Sequence, residues 1–172
     1  KALEFSQEFL QQNELSGQTN FIQWNLNRDI GMSCGGSVKL YFERFNTNPW
    51  QIMIFGAGHV AQALIPLLLM LDCQLTCYDT RNEWLDKLPE SPKLNKLCVE
   101  NLEDNVEQTS EKAFVLIMTH GHRSDFYVVQ KFLEQRNQPF LGVIGSRSKA
   151  ATLKKELKKE GLKQKQIEKL FC

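Results

Sequence analysis

The 172-residue chain has almost no net charge, with 21 Lys and Arg against 20 Asp and Glu and a formal balance of +1. That balance removes the electrostatic ground for expecting nucleic acid or an anionic membrane as a partner. The one basic cluster, Lys154-Lys155-Glu156-Leu157-Lys158-Lys159, is interleaved with Glu156 and Glu160 and reads as a solvated helix face. Cysteine is sparse in pattern: Cys34, Cys73, Cys77, Cys98 and Cys172 are odd in number and form no Cys-x-x-Cys. Neither a zinc knuckle nor a redox dithiol is indicated, and a reducing, cytoplasmic setting fits best. No secretory leader is visible at Lys1, because Glu4, Gln7 and Glu8 stand where a basic start and an apolar run are needed. Internal repeats and low-complexity tracts are missing too. The longest apolar stretch, residues 52–71, fails as a membrane span because Gly56, Gly58, His59, Gln62 and Pro66 interrupt it. A buried βα unit explains its apolarity.

What is present begins inside that stretch. The run Ile52-Met53-Ile54-Phe55 breaks into Gly56-Ala57-Gly58-His59-Val60-Ala61 and then turns helical. In a nucleotide-binding βα turn of this Gly-x-Gly-x-x-Ala form, Gly56 supplies the tight turn and Gly58 lets the backbone approach a phosphate. Ala61 lets the helix pack close to the sheet. Folds of this kind place an acid roughly 20 residues on, where it accepts from ribose hydroxyls, and Asp79 stands there after Gln74-Leu75-Thr76-Cys77-Tyr78. Such an acid favours a free 2′-hydroxyl over a 2′-phosphate, and the neighbouring Arg81 blunts that preference.

A chain of this length holds one full domain plus a small subdomain. Residues 1–13 suit a short amphipathic helix, with Leu3, Phe5, Phe9 and Leu10 on its apolar side. Residues 21–27 and 38–43 alternate apolar and polar and read as half-buried strands. Asn46-Thr47-Asn48-Pro49 suits a linker, so the division expected is a small N-terminal α+β subdomain, 1–48, and a larger domain, 49–172. From Trp50 onward strands and helices alternate, with a strand at 74–78, a Pro-rich connection through Pro89 and Pro92, a short strand near 97–99, a strong strand at 113–118, a helix at 124–135, a strand at 140–144 and a helix at 148–160. That is the pattern of an α/β, Rossmann-like, doubly wound parallel sheet. Pro66 should kink the helix at 59–71 or turn it early.

Other residues that could carry chemistry cluster near the same sheet edge. Thr119-His120-Gly121-His122-Arg123-Ser124-Asp125 follows the strong strand, where ligands of open α/β sheets bind. Two readings stand: His120, His122 and Asp125 as metal ligands, or Asp125 in the first turn of a helix with histidines that only hydrogen-bond. His59, at a helix N-terminus where the dipole disfavours imidazolium, suits a neutral role in orienting a ligand. Gly145-Ser146-Arg147-Ser148-Lys149 combines hydroxyls, helix amides and cations that suit an anion. Equally, Ser146 or Ser148 could cap the helix with Arg147 and Lys149 in solvent. Cys34, beside Gly35 and Gly36, could present a thiolate to a metal centre or be a passive turn residue. Cys73, Cys77 and Cys98 lie in apolar periodic segments and read as core.

Taken together, Met32-Ser33-Cys34-Gly35-Gly36, Phe55-Gly56-Ala57-Gly58-His59-Val60-Ala61, Tyr78-Asp79-Thr80-Arg81, Thr119-His120-Gly121-His122 with Asp125, and Ile144-Gly145-Ser146-Arg147-Ser148-Lys149 resemble the XdhC/CoxI family. The resemblance implies an accessory protein of xanthine dehydrogenase that binds molybdenum cofactor (molybdopterin), protects it during sulfuration and assists its insertion into the apo-enzyme. It implies as partners the xanthine dehydrogenase apo-enzyme and a cysteine desulfurase. Cys34, Gly35, Gly36, Gly56, Gly58, His59, Asp79, Arg81, His120, His122, Ser146, Arg147 and Lys149 become candidate cofactor-binding residues, with Cys34 at the molybdenum. It further implies flanking segments in full-length relatives before Lys1 and after Cys172.

Three functions therefore compete. The first is that cofactor chaperone, with a nucleotide as a further ligand of the crevice. The second is an NAD-dependent oxidoreductase with His120 or His122 as acid or base. The third is a metal-dependent hydrolase built on His120, His122 and Asp125. The fold alone decides none of them, and Cys34-Gly35-Gly36, which has no job in a simple dehydrogenase, favours the first. The excess apolarity of residues 60–71 leads to the expectation of a homodimer.

Overall fold

A computed structural model describes residues 1–11, 19–33, 35–43 and 50–172, and the chain divides into two compact units, Lys1–Pro49 and Trp50–Cys172. In the first unit the apolar periodicity becomes α1 (Ala2–Gln11), and the two alternating segments become β1 (Thr19–Asn25) and β2 (Ser37–Glu43). The strands pair antiparallel from Thr19 opposite Glu43 to Asn25 opposite Ser37. One hairpin face meets the helix: the Phe5 ring lies 6.3 Å from Trp24, 4.8 Å from Phe42 and 6.0 Å from Phe9, centroid to centroid. β1 stops at Asn25 because its side-chain oxygen accepts from the amides of Asn27 and Arg28 at 3.1 and 3.0 Å. That Asx turn replaces the strand expected through residue 27.

The second unit is a six-stranded sheet in the order β5-β4-β3-β6-β7-β8, every pair parallel. Its strands are β3 (Trp50–Phe55), β4 (Cys73–Asp79), β5 (Leu94–Cys98), β6 (Phe114–Ile117), β7 (Phe140–Val143) and β8 (Leu170–Phe171). Between them run α2 (His59–Leu68), α3 (Asn82–Leu85), a 3-10 turn (Glu103–Asn105), α4 (His122–Gln135), α5 (Arg147–Lys159) and α6 (Gln164–Ile167). The chain starts in the middle at β3, winds outward to β5, returns to β6 and winds out the other way, which is Rossmann topology with its switch point between β3 and β6.

Strand residues of opposite parity enter two cores. Ile52, Ile54, Leu75 and Cys77 pack with Ala61 and Ile65 of α2 and with Leu85 and Leu88. Phe55, Val115, Ile117, Leu141 and Val143 pack with Val128, Val129 and Phe132 of α4 and with Leu153 and Leu157 of α5. On the α2 face the rings of Phe114, Phe140 and Phe171 stack in series, 6.0 and 4.9 Å apart. Gly142 makes room for that stack, because a Cβ there would come within 2.7 Å of the Phe140 ring.

Pro66 acts as its chemistry dictates. It has no N–H to return to residue 62, and α2 ends two residues later, with Met70 and Leu71 donating to Leu67 and Leu68 in tighter turns. The last long helix closes differently. Gly161 takes φ +93°, its amide donates to Lys158, and the Leu162 amide donates to Leu157. That is a Schellman closure, and it brings Leu162 and Leu157 into one core. The turn leads into α6 and β8, which pairs with β7 through Leu170 opposite Leu141. The sheet therefore has one more strand than the alternation of motifs implied, since two residues carry no readable periodicity.

Phe132, 1% exposed and edge-on to Phe55 at 5.5 Å, is a central contact of the larger core. Phe132→Ala should cost about 3–5 kcal/mol, read as a fall in the urea midpoint. The exposed Phe171→Ala should cost much less, and equal losses would mean that the sheet edge is as well packed as its centre.

Candidate functional site

The glycine turn sits at the carboxyl end of β3. Gly56 has φ +107°, and a Cβ there would lie 2.4 Å from the Met118 carbonyl oxygen, so only glycine lets β3 and β6 come this close at the switch point. Gly58 is different: it has φ −66°, it is the N-cap of α2 with no side-chain cap, and nothing lies within 4 Å of a Cβ built on it. Its lack of a side chain serves open space and not packing. That space belongs to a cavity of about 320 Å³ bordered by Gly58, His59, Arg81, Trp84, Thr119 and His120. The uncapped amides and the dipole of α2 make this rim favourable to an anion.

Asp79 bolts the turn. Its carboxylate is buried and accepts four hydrogen bonds: from the Ala57 amide at 2.7 Å, the Arg81 amide at 3.0 Å, and Arg81 Nε and Nη2 at 2.9 and 3.0 Å. Burial pushes this carboxyl up, but the Arg81 guanidinium and the two amides outweigh it and hold Asp79 below the usual carboxylate range. A carboxylate has about four lone-pair sites, so the ribose contact expected of Asp79 would have to displace one of these donors. Arg81 is likewise committed, since its other face lies 4.7 Å from the Trp84 ring centroid. His59 meets the same indole edge-on at 5.0 Å. Trp84 thus meets both Arg81 and His59 at the cavity wall. The sequence reading missed it, and its only signal was a tryptophan in the polar turn just after the acid.

The segment after β6 does not gather into a metal site. Asp125 is fully buried and its Oδ1 accepts from the Thr119 hydroxyl at 2.6 Å and the Thr119 amide at 3.1 Å. Its Oδ2 pairs with Lys149 Nζ, which also donates to the Ile144 carbonyl at 3.3 Å. His122 turns away to Glu156 on α5, with Nε2 at 2.7 Å from the carboxylate. Only His120 of the pair lines the cavity. Among the described residues no group of three or more His, Cys, Asp or Glu is placed to hold a metal ion.

Around the last helix, Ser146 is the N-cap of α5 and accepts from the Lys149 amide at 3.3 Å. With Lys149 Nζ held by Asp125, Arg147 and the hydroxyls are the groups of that loop left facing solvent. Cys34 lies outside the described residues; of its neighbours, Gly35 and Gly36 are exposed, and Gly36 takes φ +128°. Cys73 and Cys77 are buried, and burial beside Asp79 pushes the Cys77 thiol up to about 12, which leaves it inert near neutrality. Cys98, read as core from its periodicity, is exposed. It ends the edge strand β5, whose pattern of burial fades along its length.

Fold and strand order place the chain among Rossmann-like domains, with a crevice at the switch point. Residues 52–172 match the family model of the XdhC Rossmann domain, and the chain belongs to that family. It is 27% identical over 145 residues to the uncharacterized protein YqeB of Escherichia coli (strain K12), a match over 83% of this chain and 26% of that one. The fold is shared with the crystal structure of a xanthine dehydrogenase from Bacillus halodurans, at TM-score 0.57 and 18% identity, over 90% of this chain and 55% of that one. The chain therefore spans about a quarter of the first relative's length and about half of the second's. Among the described residues no helix is long and apolar enough to cross a membrane.

The two glycines should separate cleanly. Gly56→Ala should unfold the domain or cost more than about 3 kcal/mol, since backbone and not a movable side chain blocks the Cβ. Gly58→Ala should melt within about 0.5 kcal/mol of the parent and weaken anion binding at the α2 rim. Loss of stability in the Gly58 variant would show that its open space is needed for folding.

Acid titration tests the bolt. The folded carboxyl of Asp79 is held below its unfolded value. Its stabilisation is therefore complete above the unfolded pKa, about 4, shrinks as pH falls, and is gone below the folded pKa. Asp79→Asn should cost on the order of 3 kcal/mol at pH 7, and the gap between parent and variant in urea midpoint should close toward low pH. A gap independent of pH would mean that Asp79 acts by shape alone.

Proposed function

We propose that this chain is the cofactor-holding part of a xanthine dehydrogenase accessory protein, which binds molybdenum cofactor, shields it during sulfuration and delivers it to the apo-dehydrogenase. The carrying observation is the crevice at the β3–β6 switch point. There the side-chain-free Gly58 opens the α2 amides onto a cavity of about 320 Å³ walled by His59, Arg81, Trp84 and His120. An anionic ligand suits such a wall: amides and helix dipole for a phosphate, imidazoles for oriented hydrogen bonds. Membership of the XdhC Rossmann domain family supports the same reading.

In this reading Gly56 and Asp79 hold the turn in shape, Gly58 and His59 receive the phosphate, and Arg81 and Trp84 wall the cavity. Lys149 and Asp125 fix the far wall through Thr119. Cys34, carried over from the family resemblance, would contact the molybdenum end. The bound cofactor supplies the redox-active molybdenum centre that the dehydrogenase uses. A cysteine desulfurase as sulfur source, a cytoplasmic setting and a homodimer through the exposed Val60, Leu67, Met70 and Leu71 belong to the same proposal. The NAD-dependent alternative has less support, because the acid that would read the ribose already accepts four internal donors.

Metal analysis and pterin fluorescence of the ligand that co-purifies with the chain test this. Molybdenum with pterin is expected, and Cys34→Ala should release it faster by about tenfold, roughly 1.4 kcal/mol, with an unchanged melting curve. Tight NAD binding with hydride transfer to an acceptor would overturn the reading.

A further inference from the structure

Around its crevice the sheet domain pairs polar groups with one another: Asp79 with Arg81, Asp125 with Lys149, His122 with Glu156. A second cavity, of about 270 Å³, breaks this habit. It opens between the segment after β5 and the start of α4, and it shares His120 with the first cavity. Thr80, Glu100, Glu103, His120 and Ser124 line it, and among the described residues none of these side chains makes a hydrogen bond or ion pair within the chain. The Tyr127 ring, 40% exposed, adds an aromatic wall, with the Arg123 guanidinium 5.7 Å from its centroid.

The lining narrows the ligand. The volume suits one bicyclic ring and not a larger molecule, and an exposed phenol ring beside a guanidinium is a stacking surface for a planar heterocycle. Glu103 is half-buried while Glu100 is exposed, so Glu103 has the greater need of a partner. An ionised carboxylate only accepts, through two oxygens side by side. It matches an edge with two adjacent N–H donors, as on a 2-amino-4-oxopyrimidine ring. An adenine edge sets a ring-nitrogen lone pair beside its amino group and would repel the second oxygen. The carbonyl next to a 2-amino-4-oxo edge then faces donors of the kind that His120, Ser124 and Arg123 provide.

We propose that this second cavity is a base-reading subsite for a 2-amino-4-oxo heterocycle, a guanine or a pterin, with Glu103 as the specificity residue. The pterin form of the proposal rests on the cofactor reading above, and the guanine form does not. With the two cavities meeting at His120, the ring occupies the second while an attached anionic group extends toward the α2 amides in the first.

Calorimetric titration of the chain with GMP, AMP and 6-hydroxymethylpterin tests it, for the parent, Glu103→Gln and Tyr127→Ala. GMP or the pterin should bind at least about tenfold more tightly than AMP, Glu103→Gln should erase that preference without shifting the melting curve, and Tyr127→Ala should weaken all ligands alike. A pterin that outbinds GMP identifies the pterin source and the reverse identifies the nucleotide; either upholds the subsite. AMP bound as well as GMP and the pterin, a preference that survives Glu103→Gln, or no binding of the three at millimolar concentration overturns it. Molybdopterin release measured on Glu103→Gln and Cys34→Ala in parallel separates the two ideas. GMP read by Glu103 in a chain that holds no molybdopterin defeats the cofactor reading alone, and molybdopterin held equally well by Glu103→Gln, with no preference for GMP, defeats the subsite alone.

Discussion

A carboxylate taken out of water must be matched by donors or give up its charge, and Asp79 is matched by the Ala57 amide and by three donors of Arg81. The rest of the crevice depends on this requirement. The Ala57 bond fixes the amide between the two glycines and so sets the path by which Gly56 passes against β6. The bidentate bond with Arg81 holds the guanidinium at Trp84, and Trp84 in turn positions His59. A single buried charge thus links the end of β4, the glycine turn after β3 and the first turn of α2. An acid at that place in a Rossmann sheet serves as a ligand reader when its oxygens are free. Here they are spent on the architecture of the turn, and under the proposed function ligand contact falls to its neighbours.

The same logic repeats on the other side of the switch point. Asp125 is wholly buried and is satisfied by Thr119 and Lys149, which ties β6 to both α4 and α5. Residues that looked like catalytic equipment, Asp125 and Lys149 above all, are the frame that holds the loop after β6. With His122 drawn to Glu156, one histidine of the pair remains at the cavity. Paired charges hold the crevice in shape, while Glu103 and Arg123, beside Tyr127 and His120, keep capacity for a ligand.

This division explains what could be read from the sequence and what could not. Periodicity of 2 and 3.6 is a local property, and it gave both hairpin strands, five of the six sheet strands and the long helices. The strand β8 escaped because two residues have no period, and its place follows from the Schellman turn at Gly161 and from pairing with β7. The glycines were legible as a motif, but their roles separate only in space, where Gly56 faces the Met118 carbonyl and Gly58 faces nothing. The partners of Asp125 and His122 come from residues 24 and 34 positions away, Lys149 and Glu156. No spacing rule links such distant side chains, so an acid and a histidine near a sheet edge looked like ligands. Cys98 was misread for a related reason, since apolar periodicity marks a strand and does not say whether that strand lies at an edge.

The helix starts point to where binding is favoured. A side-chain cap contributes about 1 kcal/mol to a helix, and α5 uses one, with Ser146 accepting from the Lys149 amide. The helices that begin on either side of the switch point do without: α2 starts at Gly58 and α4 at Gly121, neither with a side-chain cap. Nothing lies within 4 Å of a Cβ built on either glycine. A serine or aspartate would fit at both positions sterically and would stabilise both helices, yet it would occupy the amides with an internal acceptor. Leaving them bare costs stability and keeps two sets of donors and two positive dipole ends available to an anion. Under the proposed function, these bare amides are what the phosphate end of the cofactor would meet.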